Sequence, residues 1–188
     1  MQYERSESTK RNVLRVWYKS LERLPMSKLF AVNRREFLVA AAIPLYAAGP
    51  LQTFSRDEAR LVEDLCDQVI PADDVPGAKQ AGVLYYIDRQ LAGPLGRFQS
   101  AYHDGLSKLR DACQSRTGRD FVDLSFPDQT KFLQDVEAGR IEKLDSFWRL
   151  VIDHTMQGFY GSPAHGGNRD EVSWDMLGIR DVMEGHTH

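Results

Sequence analysis

The sequence has little of what marks membrane-spanning or disulfide-rich chains. No apolar run among its 188 residues reaches the roughly 18 uncharged residues of a standard membrane-spanning helix, which excludes a multi-span membrane protein. Its two cysteines, Cys66 and Cys113, are too few for a disulfide scaffold or for a zinc site of about four ligands. The sequence leaves three states open for them: a mutual disulfide, two buried thiols, or a bridge to another chain.

The sequence also lacks the motifs of common enzymes. There is no phosphate-binding loop, no Gly-x-Ser-x-Gly and no haem-attachment Cys-x-x-Cys-His, and Gly166-Gly167-Asn168 lacks the spacing of a nucleotide-binding loop. The adjacent carboxylates Asp73 and Asp74 suit the start of a turn better than acid–base chemistry. We therefore predict no catalytic, cofactor-binding or metal-binding residue in this chain.

A second interpretation starts from the histidines. His154 lies in a predicted helix, and His165 and Asp170 lie in a polar segment after it. These side chains would be the candidates if the protein were a free-standing periplasmic enzyme or a metal-binding helical protein. Two candidate ligands in the polar segment are few for a metal site, and a single helical histidine is more often structural.

Charge is distributed unevenly along the chain. Residues 1–49 contain nine Lys and Arg against four Asp and Glu, a net charge of +5, whereas residues 50–188 contain fifteen against twenty-three, a net charge of −8. A basic segment before an acidic body indicates a targeting segment before a mature domain. The acidic body argues against nucleic acid as a partner, because nucleic-acid binding needs a basic surface. We predict an N-terminal extension with a signal over 1–49 and a helical domain over 50–188.

The basic segment contains the pattern of a twin-arginine export signal. Arg34 and Arg35 are followed, after one residue, by Phe37 and Leu38. The apolar stretch from residue 37 to residue 48 has twelve residues, which suits a signal peptide and is too short for a standard membrane span. The pattern predicts export of a folded protein to the periplasm.

Three features of this segment stay open. The arginine pair also fits the polar face of an amphipathic helix. No clear cleavage site follows the apolar stretch, so an uncleaved segment would tether the protein to the membrane as a scaffold. We favour Met26 over Met1 as the start of translation, because it leaves a compact basic region before the arginines.

Apolar residues three or four positions apart dominate from residue 55 onward, and no alternating strand pattern of any length occurs. Ser55 and Glu58 form a capping box at the first helix, and Pro127 suits the first turn of the fourth. We predict an all-α single domain with a long Gly-rich C-terminal loop and about five helices, near residues 55–70, 79–91, 94–117, 125–138 and 142–159.

Two stretches together resemble the gluconate 2-dehydrogenase subunit 3 family. The first, residues 70–83, reads Ile-Pro-Ala-Asp-Asp-Val-Pro-Gly-Ala-Lys-Gln-Ala-Gly-Val. The second combines Gly-Phe-Tyr-Gly-Ser-Pro at 158–163, Gly-Gly-Asn-Arg at 166–169 and Trp-Asp-Met-Leu-Gly at 174–178. The resemblance extends from about residue 34 to residue 178 and includes the export signal.

The resemblance implies a role that the residues alone do not. Members of this family are small, non-catalytic subunits of membrane-bound flavoprotein sugar and sugar-acid dehydrogenases. The resemblance implies a large partner subunit of the glucose–methanol–choline oxidoreductase type that contains FAD, and in some complexes a cytochrome c subunit with haem c. It also implies that the small subunit carries the twin-arginine signal and escorts the flavoprotein during export. Membrane association would come through the complex or through an uncleaved signal.

The predicted partner-binding surface is the Gly-rich loop with the apolar patch after it. A loop of about ten residues in a small helical domain is usually functional, and Trp and Arg are enriched at binding hot spots. We therefore take as partner-binding candidates the following residues: Gly166, Gly167, Asn168, Arg169, Trp174 and Met176. The alternative is that this segment folds back over the domain's own core.

Overall fold

The computed structural model describes residues 50–180, and within this range the secondary structure is helical, with no strand. The all-α prediction is therefore confirmed. The described residues form six α-helices: α1 Arg56–Val69, α2 Val83–Leu91, α3 Gln99–Thr117, α4 Phe126–Glu137, α5 Asp145–Tyr160 and α6 Val172–Leu177. Four short 3-10 helices lie between them, at Gly96–Phe98, Phe121–Asp123, Pro163–His165 and Arg169–Glu171. The predictions for residues 1–49 lie outside the described residues.

Side-chain caps begin two of the helices where the sequence predicts them. The Ser55 hydroxyl accepts from the backbone N–H of Glu58 (3.3 Å), and the Glu58 carboxylate accepts from the backbone N–H of Ser55 (2.9 Å). This reciprocal pair satisfies N–H groups that have no partner inside α1. Ser125 caps α4 in the same position, with Pro127 in the first turn. Each cap is local in sequence, which is why the sequence predicts it.

The start of α2 differs from the prediction by four residues. The predicted helix begins near Lys79, but the chain first makes hydrogen-bonded turns, and α2 begins at Val83. Gly82 precedes it in the left-handed conformation, with φ +72°. Glycine adopts this conformation without the steric cost that a side chain adds, so it lets the chain change direction directly before the helix.

Helices α1, α2 and α5 pack against one another at the centre of the described domain, and α3 and α4 pack around them. α3 comes close to α5 at Gly105, where a side chain would begin 2.2 Å from the Phe147 ring. Phe147 also packs edge-on against Tyr102 of α3, with ring centroids 5.7 Å apart. The largest fully buried side chains come from every helix except α4 and α6 and include Leu61, Leu65, Ile87, Leu91, Tyr102, Leu106, Leu109 and Phe159.

The two cysteines are buried free thiols, so of the three states left open the second is correct. Cys66 on α1 accepts a hydrogen bond from the Thr155 hydroxyl of α5 (3.3 Å). Burial raises the pKa of the Cys66 thiol to about 12, and it raises the pKa of Cys113 as well. Both thiols are therefore protonated at neutral pH and act as small apolar side chains.

The segment before α1 is held by one carboxylate. Asp88 of α2 is 3% exposed and accepts from the backbone N–H groups of Gln52 (2.8 Å), Thr53 (2.9 Å) and Phe54 (3.0 Å). The Thr53 hydroxyl donates in turn to the backbone carbonyl of Asp88 (3.1 Å). Because three N–H groups share one buried carboxylate, the chain enters the domain along a fixed path.

Candidate partner-binding site

The segment that follows α5 folds back onto the end of that helix. Gly167 lies so close to α5 that a side chain would begin 2.1 Å from the carbonyl oxygen of Gly158. The Asn168 amide donates to the carbonyl of Gly161 (3.0 Å), and its side-chain oxygen accepts from the backbone N–H of Ser173 (2.9 Å). Asn168 is fully buried and has φ +44°, a conformation that asparagine adopts more readily than most residues. Packing and backbone geometry therefore explain these residue types.

This arrangement corrects one expectation. The Gly-rich loop is predicted to offer Gly166, Gly167 and Asn168 to a partner, but all three residues are buried. Small residues let the backbone lie directly on α5, and the Asn168 side chain supplies the hydrogen bonds that water would otherwise supply. These three residues fix the path of the backbone along α5 and do not offer side chains to a partner.

Trp174 also lies inside the domain. It is 4% exposed, and its indole N–H donates to the carbonyl of Tyr160 at the end of α5 (3.2 Å). This is the position that the alternative interpretation predicts, in which the segment covers its own core. Its neighbours on α6 remain outside: Met176 is 41% exposed and Leu177 is 52% exposed, and Tyr160 is 36% exposed. The exposed apolar residues at this end of the domain are therefore Tyr160, Met176 and Leu177.

Arg169 connects the two stretches that the sequence analysis singled out. Its backbone N–H donates to the carbonyl of Ala81 (2.9 Å). Its guanidinium lies over the Tyr85 ring, 5.4 Å from the ring centroid, and beside the backbone of Gly82. The stretch before α2 and the Gly-Gly-Asn-Arg stretch are thus in contact, although more than 80 residues separate them along the chain.

A second arginine, Arg89 of α2, lies beside the same segment. A side chain at Gly166 would begin 3.4 Å from its guanidinium, and Gly166 itself has φ +103°. Sequence reasoning missed Arg89 and Tyr85, because each fits the half-exposed face of a helix. Tyr85 and Arg89 are four residues apart, which places them on one face of α2, and this spacing is the signal that could have identified them.

The family model for gluconate 2-dehydrogenase subunit 3 matches residues 56–180. The chain belongs to this family. The match covers all six helices and both contacting stretches, and it begins after the predicted export signal. Comparisons with curated proteins and with solved structures gave no match.

His154 of this subunit 3 family member is a packed interior residue. It is 3% exposed, stacks on the Tyr102 ring, and has its Nδ1 atom 3.1 Å from the Tyr102 hydroxyl. Burial lowers the pKa of His154 to about 4, with a smaller contribution from the charge of Arg97. The imidazole is therefore neutral at pH 7 and lies in the interior of the domain, between α3 and α5.

The predicted alternative metal ligands are His165 and Asp170. Among the residues that the structure describes, no three His, Cys, Asp or Glu side chains are grouped so that they would hold a metal ion. Burial, and secondarily the Arg89 charge, lowers the pKa of His165.

No helix within residues 50–180 has the length and apolar character needed to cross a membrane.

Proposed function

We propose that this chain is the non-catalytic small subunit of a periplasmic dehydrogenase complex for gluconate or a related sugar or sugar acid. Family membership over residues 56–180 carries the proposal, because the family is described as subunit 3 of gluconate 2-dehydrogenase. In this proposal, oxidation takes place in a large partner subunit of the glucose–methanol–choline type that contains FAD. A third, cytochrome c subunit with haem c would pass electrons onward.

The proposal includes an escort role during export. Arg34 and Arg35, followed by Phe37 and Leu38, support it as a twin-arginine pattern. That route transports folded proteins, so one signal on the small subunit serves a bound flavoprotein that has none. The complex, or an uncleaved signal, then holds the protein at the cytoplasmic membrane.

The exposed residues around α6 support docking of the large subunit at this end of the domain. Met176, Leu177 and Tyr160 present apolar surface, and Met, Tyr and Arg are enriched in protein–protein interfaces. Arg169 begins the 3-10 helix that directly precedes α6. Gly166, Gly167, Asn168 and Trp174 contribute by fixing the backbone beneath this surface.

The test is co-expression of the full chain with a flavoprotein of the glucose–methanol–choline type from the same genome, with the flavoprotein expressed alone as the control. We expect the two chains to copurify and the periplasmic yield of flavoprotein to rise when the small chain is present. Gluconate-dependent reduction of an artificial electron acceptor should require the flavoprotein and should not occur with the small chain alone. A small chain that stays monomeric and leaves flavoprotein yield and export unchanged would refute the proposal.

A further inference from the structure

Four arginines in the described part of the chain are half-buried: Arg89, Arg110, Arg169 and Arg180. Two of them have carboxylate partners. Arg180 lies 2.7 Å from Glu171 and 3.1 Å from Asp175, and Arg110 lies 3.6 Å from Asp120. Half-burial removes part of the hydration of a guanidinium, and these carboxylates compensate for that loss.

Arg89 and Arg169 have no such compensation among residues 50–180. Neither guanidinium lies within ion-pair distance of a carboxylate in this range, and the described contact of the Arg169 guanidinium is with the Tyr85 ring. This is unexpected on composition, because residues 50–188 carry a net charge of −8 and acidic side chains are plentiful. Within residues 50–180, two partly desolvated cations thus have no carboxylate partner, although the domain is acidic.

These two cations flank the same stretch of α2. Tyr85 and Arg89 are four residues apart on α2, and Arg169 lies over the Tyr85 ring. Gly166 lies beside Arg89, and Gly82 lies beside Arg169. Because glycine has no side chain, neither position blocks the access of a ligand to the guanidinium beside it. His165 adds no fixed positive charge at neutral pH, because burial lowers its pKa. The anion that suits planar guanidinium groups is a carboxylate, which accepts two parallel hydrogen bonds.

We infer that Arg89 and Arg169 form a carboxylate-binding site at which this chain docks an Asp or Glu side chain of its flavoprotein partner. The inference rests on the proposed function for the identity of the partner. Charge complementarity favours a partner carboxylate. Arg169 begins the 3-10 helix that leads into α6, and α6 carries the exposed apolar side chains Met176 and Leu177. An apolar contact next to a desolvated charge pair is the usual composition of an interface hot spot.

The experiment measures the affinity of the full chain for the flavoprotein by calorimetry, with the variants Arg89→Gln and Arg169→Gln. We expect each variant to weaken binding at least about tenfold. The partner carboxylate would still lose its water on binding, but one of the two charged hydrogen-bond donors that replace the water would be missing. We also expect Arg89→Lys to recover only part of the affinity, since an ammonium cannot form the bidentate pair. Arg97→Gln is the matched control: Arg97 also lies over an aromatic ring, 4.8 Å from the Phe98 centroid, but it is exposed.

The outcomes separate this inference from the proposed function. If the wild-type chain binds the flavoprotein and both Gln variants bind equally well, the carboxylate site is wrong and the subunit role stands. If the wild-type chain does not bind, both fail. If Arg89→Gln lowers the melting temperature of the isolated chain by several degrees, a carboxylate of the chain itself fills the site, which overturns the inference. Saturable gluconate binding to the isolated chain that Arg89→Gln abolishes overturns it in favour of a small anion.

Discussion

At the scale of single residues, burial determines the protonation state of His154. Tyr102 stacks on its ring, Phe98 packs edge-on against it at 5.4 Å, and the side chain is 3% exposed. A charged imidazolium would lose its hydration in these surroundings, so the neutral form is favoured and the pKa falls from 6.5 to about 4. The unfolded chain has no such burial and binds the proton near the ordinary pKa.

This difference predicts a loss of stability in acid. Between pH 6.5 and about 4 the unfolded chain binds a proton at His154 that the folded chain does not, so the free energy of unfolding falls as pH falls. The shift corresponds to about 3 kcal/mol over the whole window. Denaturant titrations at pH 7 and pH 4.5 on the wild type and on His154→Gln measure it. The wild type should lose more stability than the variant, and equal losses would contradict the assigned burial.

Trp174 and Met176 are two residues apart but have different surroundings. Trp174 is 4% exposed, so Trp174→Ala should cost about 3–5 kcal/mol of unfolding free energy in the isolated domain. Met176 is 41% exposed, so Met176→Ser should change stability by less than about 0.5 kcal/mol while weakening association with the flavoprotein. Thermal melts and a binding titration on the same samples separate the two effects. A stable Trp174→Ala variant with lost association would instead place Trp174 at the interface.

At the scale of elements, glycines decide how the segment after α5 packs. A side chain at Gly167 would collide with the backbone of Gly158, and one at Gly158 would begin 2.7 Å from the Tyr86 ring. The two glycines therefore allow α2, α5 and the turn at 166–168 to meet closely. Because α6 follows this turn, the position of the exposed apolar residues depends on the same contact.

We predict that Gly167→Ala displaces this turn. The added carbon would lie 2.1 Å from a backbone oxygen, which cannot move as a flexible side chain would, so the cost should be at least about 1–3 kcal/mol. Gly93→Ala is the matched control, because its nearest contact is an ordinary 3.6 Å, and it should be neutral or slightly stabilising. Chemical denaturation compares the two. Equal stability of both variants would contradict the close packing of the turn on α5.

At the scale of the whole molecule, export depends on the chemistry of the arginine pair. Replacing both Arg34 and Arg35 by Lys keeps the charge of the segment but removes the planar guanidinium groups. We expect this double variant to lower the periplasmic level of this chain and of the flavoprotein together, as immunoblots of cell fractions would show. Lys28→Arg, which also keeps the charge and lies outside the arginine pair, is the control. Normal periplasmic levels of both proteins in the double variant would refute the escort role.

The sequence by itself determined five of the six described helices and most of their buried faces, whereas α6 lies where the sequence predicted only an apolar patch. The apolar spacing on α1, α2 and α5 comes from the helical period, and the capping box at Ser55 depends on residues three apart. Family membership follows from the same local stretches, which the match over residues 56–180 covers. Local rules suffice here because a helix satisfies its backbone hydrogen bonds with near neighbours in the chain.

Only the tertiary structure decided which polar and aromatic residues lie inside. Composition predicts a solvated turn at residues 166–168, but the turn folds back onto α5, where Gly167 lies against Gly158 and Asn168 donates to the Gly161 carbonyl. The approach of Arg169 to the Tyr85 ring was equally hidden from sequence, since it joins two segments more than 80 residues apart. A contact of this kind depends on how α2 and α5 pack, and packing is a property of the assembled helices and not of either segment alone.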